Sequence, residues 1–205
     1  YDDYLAGKEW TVVDDAKPFR KITDITVVNN RTDVGFNFKI NVEGGNTLVG
    51  SGKLDGNGIN PEFFSDVHIR RAFNYCFDYD TFLKEVMLGE GSRATTLFLP
   101  GMMGYDESAP HYTFDLAKCE EEFKASQWKG EDGTPLWDLG FRFAATYNTG
   151  NTMRQTISEV MQAGVSQVNP KFVVEVIGLP WANFLSLSRA YKLPIRTVGW
   201  LSDYF

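Results

Sequence analysis

From residue 141 onward the chain alternates between two periodicities, and this alternation restricts the fold more than anything else in it. Residues 141–147 (FRFAATY), 172–177 (FVVEVI) and 195–200 (IRTVGW) are short and rich in aromatic and β-branched side chains, so they read as strands. Between them, residues 152–168 set Met153, Ile157, Val160, Met161, Gly164 and Val165 at helical spacing, and residues 181–191 read as a second helix. A strand needs a crossover before a parallel neighbour can begin, so this order implies parallel strands joined by helices. An α/β sheet is expected.

Upstream, residues 65–89 (SDVHIRRAFNYCFDYDTFLKEVMLG) read as two consecutive helices. Ser65 or Asp66 can cap the first, since a short side-chain oxygen accepts from an otherwise unpaired backbone N–H. Ile69, Ala72, Phe73 and Cys76 form its apolar face; Arg70, Arg71 and Asn74 fall opposite. Asp80 is expected to cap a second helix carrying Phe82, Leu83, Val86 and Met87 inward, with Gly89 as its stop. Asp115 is expected to cap a third helix with Leu116, Cys119 and Phe123 on one face.

Residues 34–42 (VGFNFKINV) alternate Phe36, Phe38, Ile40 and Val42 with Asn37, Lys39 and Asn41, the period of a half-buried strand. Residues 22–28 are another strand candidate, residues 10–13 a shorter one, and 95–99 a short extended run ended by Pro100. The DGNG of residues 55–58 invites a calcium-loop reading. The register opposes it: with Asp55 third, Lys53 stands first and Phe64 twelfth, where carboxylates are required. A plain turn is expected there.

The charge balance is 20 Lys and Arg against 27 Asp and Glu, a net of −7, which argues against nucleic acid as a partner because phosphate contacts need a basic surface. No apolar run approaches the ~20 residues of a membrane-spanning helix. Tyr1 is an improbable native start, so the chain reads as excised from something longer. Cys76 and Cys119 sit at apolar helical positions and are expected to be free, buried thiols rather than a bridge.

Residues 64–80 also resemble a family. FSDVHIRRAFNYCFDYD is similar to the helix signature of family 5 extracytoplasmic solute-binding proteins, the peptide- and nickel-binding components of ABC importers. Phe64, Asp66, Val67, Arg70, Arg71, Ala72, Asn74, Tyr75, Asp78 and Asp80 carry the match; Cys76 and Tyr79 depart from it. Residues 100–115, running from PGMMGY to YTFD, resemble the family's next segment. Residues 181–205 resemble its trp-x-x-phe-leu helix followed by gly-trp-x-x-asp-tyr.

The resemblance implies a periplasmic-binding-protein-like (type II) α/β lobe, a mixed sheet flanked by helices. Residues 1–205 would form the C-terminal lobe of a longer two-lobed protein, with residues 1–33 as an N-terminal extension of the lobe. It implies capture of a short peptide or other small solute by hinge closure, for delivery to a membrane permease. The protein would be monomeric, periplasmic or extracellular, and without a cofactor. In peptide-binding relatives the aspartate aligned with Asp203 pairs with the peptide's α-ammonium, and the tryptophan aligned with Trp181 lines a side-chain pocket. Gly199 and Trp200 lie on the strand whose backbone can meet an extended peptide, with the Trp200 side chain expected to pack. Some relatives hold the peptide carboxylate with basic residues at the positions of Ser188 and Thr197, both neutral here. Arg189 and Arg196 are adjacent, but a one-residue step along a strand reverses the facing. Nickel chelates and oligosaccharides are alternative ligands, and the sensor half of a transcription regulator is an alternative role.

Catalysis finds little support in these residues. His68 lies among charged residues and His111 beside Pro110, neither with a local nucleophile or metal-ligand spacing. Glycine-rich phosphate loops are absent from the sequence.

Overall fold

The computed structural model describes residues 30–96, 98–100 and 102–201. The strand candidates at 10–13 and 22–28, and Asp203, lie outside the described residues.

The helical framework begins with α1 (Val67–Tyr75), α2 (Tyr79–Thr81), α3 (Leu116–Ala125) and α4 (Leu136–Leu139). The strand–helix alternation then appears as read: β2 (Phe141–Asn148), α5 (Thr152–Val168), β3 (Phe172–Leu179), α6 (Trp181–Arg189) and β4 (Ile195–Leu201). Strand β1 (Asn30–Phe36) enters from upstream. The sheet order is β1-β4-β2-β3, with β2 parallel to both β3 and β4, and β1 antiparallel to β4. The expected parallel crossovers are therefore present. Among the described residues, only Ile195 and Arg196 of β4 pair with β2; from Thr197 onward its partner there is β1. Thus β1 and β4 leave the sheet as a two-stranded ribbon.

The core lies between the sheet and helices α1, α3 and α5. Phe63, Phe64, Phe73, Phe123, Phe141, Phe143 and Phe172 are buried there, with Phe141 stacked on Phe172 at 4.5 Å and Phe64 edge-on to Phe143 at 5.4 Å. Ring pairs in these geometries add to what burial alone contributes. Helix α5 approaches closely because residue 164 is glycine: a Cβ there would stand 1.9 Å from the Cys76 carbonyl oxygen. Asp66 is the cap of α1, accepting from His68 N at 2.9 Å, while its second oxygen accepts from Ser126 Oγ and Gln127 N. A buried carboxylate thereby joins the start of α1 to the end of α3, its charge matched by three donors. Asp115 and Asn151 cap α3 and α5 in the same way.

Several expectations are corrected. The strand read at 34–42 runs from Asn30 to Phe36 instead, leaving Phe38 and Val42 exposed while Ile40 is buried. The asparagines explain the break. Asn37 Nδ2 donates to the carbonyls of Tyr191 and Leu193, Asn41 N donates to the Tyr191 carbonyl, and the two side-chain oxygens accept from Lys39 N and Glu43 N. Side-chain bonds to backbone outcompete a ladder here. Asp78, not Asp80, caps α2 through Thr81 N, and the helix widens into π-type turns over Phe82–Val86, burying only Phe82 fully.

The cysteine expectation is also overturned. Cys76 and Cys119 form a disulfide with Cα atoms 5.5 Å apart, joining the end of α1 to α3. Apolar helical positions were read as isolated hydrophobes, but the two helices pack with those positions facing each other. The DGNG segment is a turn: Asp55 Oδ1 accepts from Asn57 N and Ser51 Oγ, and the Ser51 bond is the larger cause of a carboxyl pKa held below its usual value.

Candidate functional site

Strands β2, β3 and β4 are parallel, so their C-terminal ends share one edge, the place where open α/β sheets bind ligands. Trp181 stands at that edge as the first residue of α6, directly after β3 and Pro180. Its ring is 50% exposed and stacks on the buried Phe184 ring at 5.7 Å, so the helix fixes one face and leaves the other to solvent. Trp200 lies near the end of β4, opposite Arg31 of β1, and is 69% exposed. The expectation that it packs is corrected: its side chain is exposed, on the face of β4 opposite to Thr197 and Gly199, which lie against α5.

Gly199 pairs with Thr32, and a Cβ at this position would stand 2.8 Å from Arg154 Nη2. The glycine lets the guanidinium of α5 lie against the ribbon. Arg154 Nη1 donates to Asn148 Oδ1 at 2.5 Å, while its Nε is buried without a partner among the described residues. Burial lowers the Arg154 pKa, since a guanidinium removed from water loses hydration that favours its charged form.

The two neutral positions separate. Thr197 is fully buried and shares a hydrogen bond with Ser158 of α5 at 3.0 Å, so it faces the core. Arg196 points the other way and donates to Ser188 Oγ at 2.8 Å. Strand alternation alone dictates that opposition.

A cavity of about 470 Å³ lies on the α5 side of β1, and a second of about 780 Å³ adjoins it; Arg31, Thr32, Phe82, Leu83 and Arg93 line both. Arg31 donates through Nε to Asp33 at 2.6 Å and through Nη1 to the Thr96 carbonyl. Arg93 lies 3.7 Å over the Tyr79 ring, whose hydroxyl donates to the Asn74 carbonyl at 3.1 Å. Burial raises the Tyr79 pKa, against the lowering effect of Arg93. Sequence reading did not find Arg31, Arg93 or Arg154 as site residues. Arg154 carried a weak signal as the basic residue in the first turn of a helix at a strand's C-terminal end; the Arg93–Tyr79 pair, made across a loop, carried none.

A family model described as bacterial extracellular solute-binding proteins, family 5 Middle, matches residues 6–205. The oligopeptide-binding protein AppA of Bacillus subtilis is 23% identical over 121 residues, 57% of this chain and 22% of AppA. Among solved structures, NikZ from Campylobacter jejuni in complex with Ni(L-His) superposes with a TM-score of 0.61 at 17% identity, covering 86% of this chain and 31% of NikZ. Listeria monocytogenes OppA bound to peptide superposes with a TM-score of 0.60 at 16% identity, covering 87% and 32%. The chain thus spans under a third of the length of these relatives. At such identities the structural likeness shows a shared fold, the type II periplasmic-binding arrangement expected from the sequence.

Proposed function

Because the chain belongs to the family 5 bacterial extracellular solute-binding proteins, we propose that it forms the C-terminal lobe of a two-lobed protein that captures short peptides for an ABC importer. The carrying observation is the C-terminal sheet edge, where β4 carries the exposed Trp200 and Trp181 opens α6 half-exposed. An exposed aromatic held on one side by its fold offers a rigid surface to a ligand at low entropic cost. Ribbon backbone at Gly199 and Trp200 would pair with an extended peptide, which gives affinity without reading side chains. Trp181 would line a side-chain pocket, and Asp203 would take the α-ammonium.

Arg154 answers the question left by neutral Ser188 and Thr197. Its Nη2 lies beside Gly199, and it makes no ion pair among the described residues, so it would offer a cation at the same edge for a peptide's negative end to offset. The other lobe would close over the ligand about a hinge, and the closed form would dock on a membrane permease. The role is binding without covalent chemistry, performed by a monomer outside the cytoplasm with no cofactor. The Cys76–Cys119 disulfide accords with an oxidising compartment.

The test is a double-mutant cycle on the full-length protein with trialanine and N-acetyl-trialanine. Asp203→Asn removes the charge that offsets a desolvated ammonium, at a cost of about 3–5 kcal/mol. Trialanine should weaken by roughly a hundred- to several-thousand-fold, and the acetylated peptide far less. Equal losses for both would remove Asp203 from the site. Binding of Ni(L-His) with no binding of peptides would overturn the ligand class.

A further inference from the structure

Neither tryptophan nor Gly199 lines the 470 Å³ cavity, which is bounded instead by Arg31 and Thr32, the β1 partners of Trp200 and Gly199. Its size falls within the ~300–1,000 Å³ of small-molecule sites. Phe77, Phe82, Leu83, Tyr112, Ile157 and Met161 give it largely aromatic and aliphatic walls. The wall segment is anchored at both ends. The Cys76–Cys119 disulfide and the Asp115 N bond to the Tyr75 carbonyl close its base, and Thr95 Oγ1 donates to the Asp106 carbonyl across it. Arg31 ties the same segment to β1 through the Thr96 carbonyl.

Its electrostatics run against those of the whole chain, whose net charge is −7. Arg31, Arg93, His111 and Asp33 line it, and Asp33 already accepts from Arg31. Arg93 makes no ion pair among the described residues. Stacking on Tyr79 occupies one face of its guanidinium and fixes the plane. Tyr79 also takes a hydrogen bond from this guanidinium, whose five donors leave others to meet a carboxylate.

We propose that this cavity is a second ligand site, distinct from the peptide cleft, which takes a compact aromatic or aliphatic carboxylic acid. The hydrocarbon body lies against the rings and the carboxylate meets Arg93. Such a ligand buries apolar area while giving a cation that has no counter-charge among the described residues a carboxylate to meet.

The experiment is calorimetric titration of the full-length protein with 3-phenylpropionate and with its amide. The acid should bind at least ten-fold more tightly than the amide. Arg93→Gln should erase that preference while leaving amide binding unchanged. Leu83→Trp, which fills the cavity from a partly exposed position, should abolish binding of both, with thermal melting confirming that the variant folds. Excess trialanine should leave acid affinity unchanged. No binding of the acid to the full-length protein would overturn the proposal, as would an acid preference that survives Arg93→Gln. Displacement of the acid by trialanine would put it in the peptide cleft and overturn a separate site. Absence of trialanine binding, with the acid result intact, would count against the peptide reading alone.

Discussion

The two halves of the sheet are built on opposite terms. Strand β2 is buried on both faces from Phe143 to Thr146, and with β3 it anchors the phenylalanine cluster beneath α1, α3 and α5. Strand β4 stops pairing with β2 after Arg196, and β1 and β4 continue as a ribbon that carries the exposed Trp200. One half spends its aromatics on packing; the other packs Phe36 on Phe64 and Phe73 at its base and holds Trp200 out to solvent. Stability should therefore reside in the β2–β3 half and ligand recognition in the ribbon, and mutations should separate the two.

The largest effect should come from the packed half. Phe141→Ala removes a ring stacked on Phe172 and packed against Phe63, Phe73 and Phe123. Truncating such a ring costs about 3–5 kcal/mol, part of it the cavity left behind. Urea unfolding should show a loss of stability of that size, read from the midpoint shift multiplied by the slope m. A loss below about 1 kcal/mol would mean the cluster does not carry the stability, and the comparison would break.

Next comes the disulfide. Cys76 and Cys119 are separated by 43 residues, so cross-linking them restricts the unfolded chain by about 4 kcal/mol on the loop-entropy model. Intact mass should be two units below that of the reduced chain, and reductant should lower the unfolding midpoint. The bridge joins the packed half to the cavity wall, so its loss should speed amide exchange first in residues 77–112. Uniform acceleration across the sheet would instead place the wall within the core's cooperative unit.

A smaller effect belongs to Tyr79. Its folded pKa is raised by burial, so its stabilising contribution is complete below the unfolded value near 10 and fades as pH rises through the higher folded value. Phenolate absorbance should show one tyrosine titrating late, and Tyr79→Phe should remove that step. A Tyr79 that titrates with the exposed tyrosines would show that the cavity wall stands open to water.

These differences also explain what the sequence made legible. The β2–α5–β3–α6–β4 order was readable because period-two and helical spacings alternate cleanly where burial is strong. The same rule failed at 34–42, where Asn37 and Asn41 bond the backbone of residues 190–193 and break the strand. Facing partners were beyond reach. Nothing in the spacing shows that Cys76 meets Cys119 across two helices, that Arg154 lies over Gly199, or that Arg93 stacks on Tyr79. Trp181 and Trp200 were legible as motif residues, but the exposure of Trp200 follows from which face of β4 lies against α5. That facing is a matter of register, which strand patterns do not encode.

Trp200→Ala in the full-length protein tests the division most directly, with urea unfolding and peptide calorimetry run on the same sample. The exposed ring should contribute within about 0.5 kcal/mol to stability. Its removal should weaken trialanine at least about ten-fold, the loss of a well-placed aromatic contact of roughly 1.4 kcal/mol or more. A variant that unfolds more readily while binding trialanine as tightly as the parent would contradict the account, because Trp200 would then belong to the packed half.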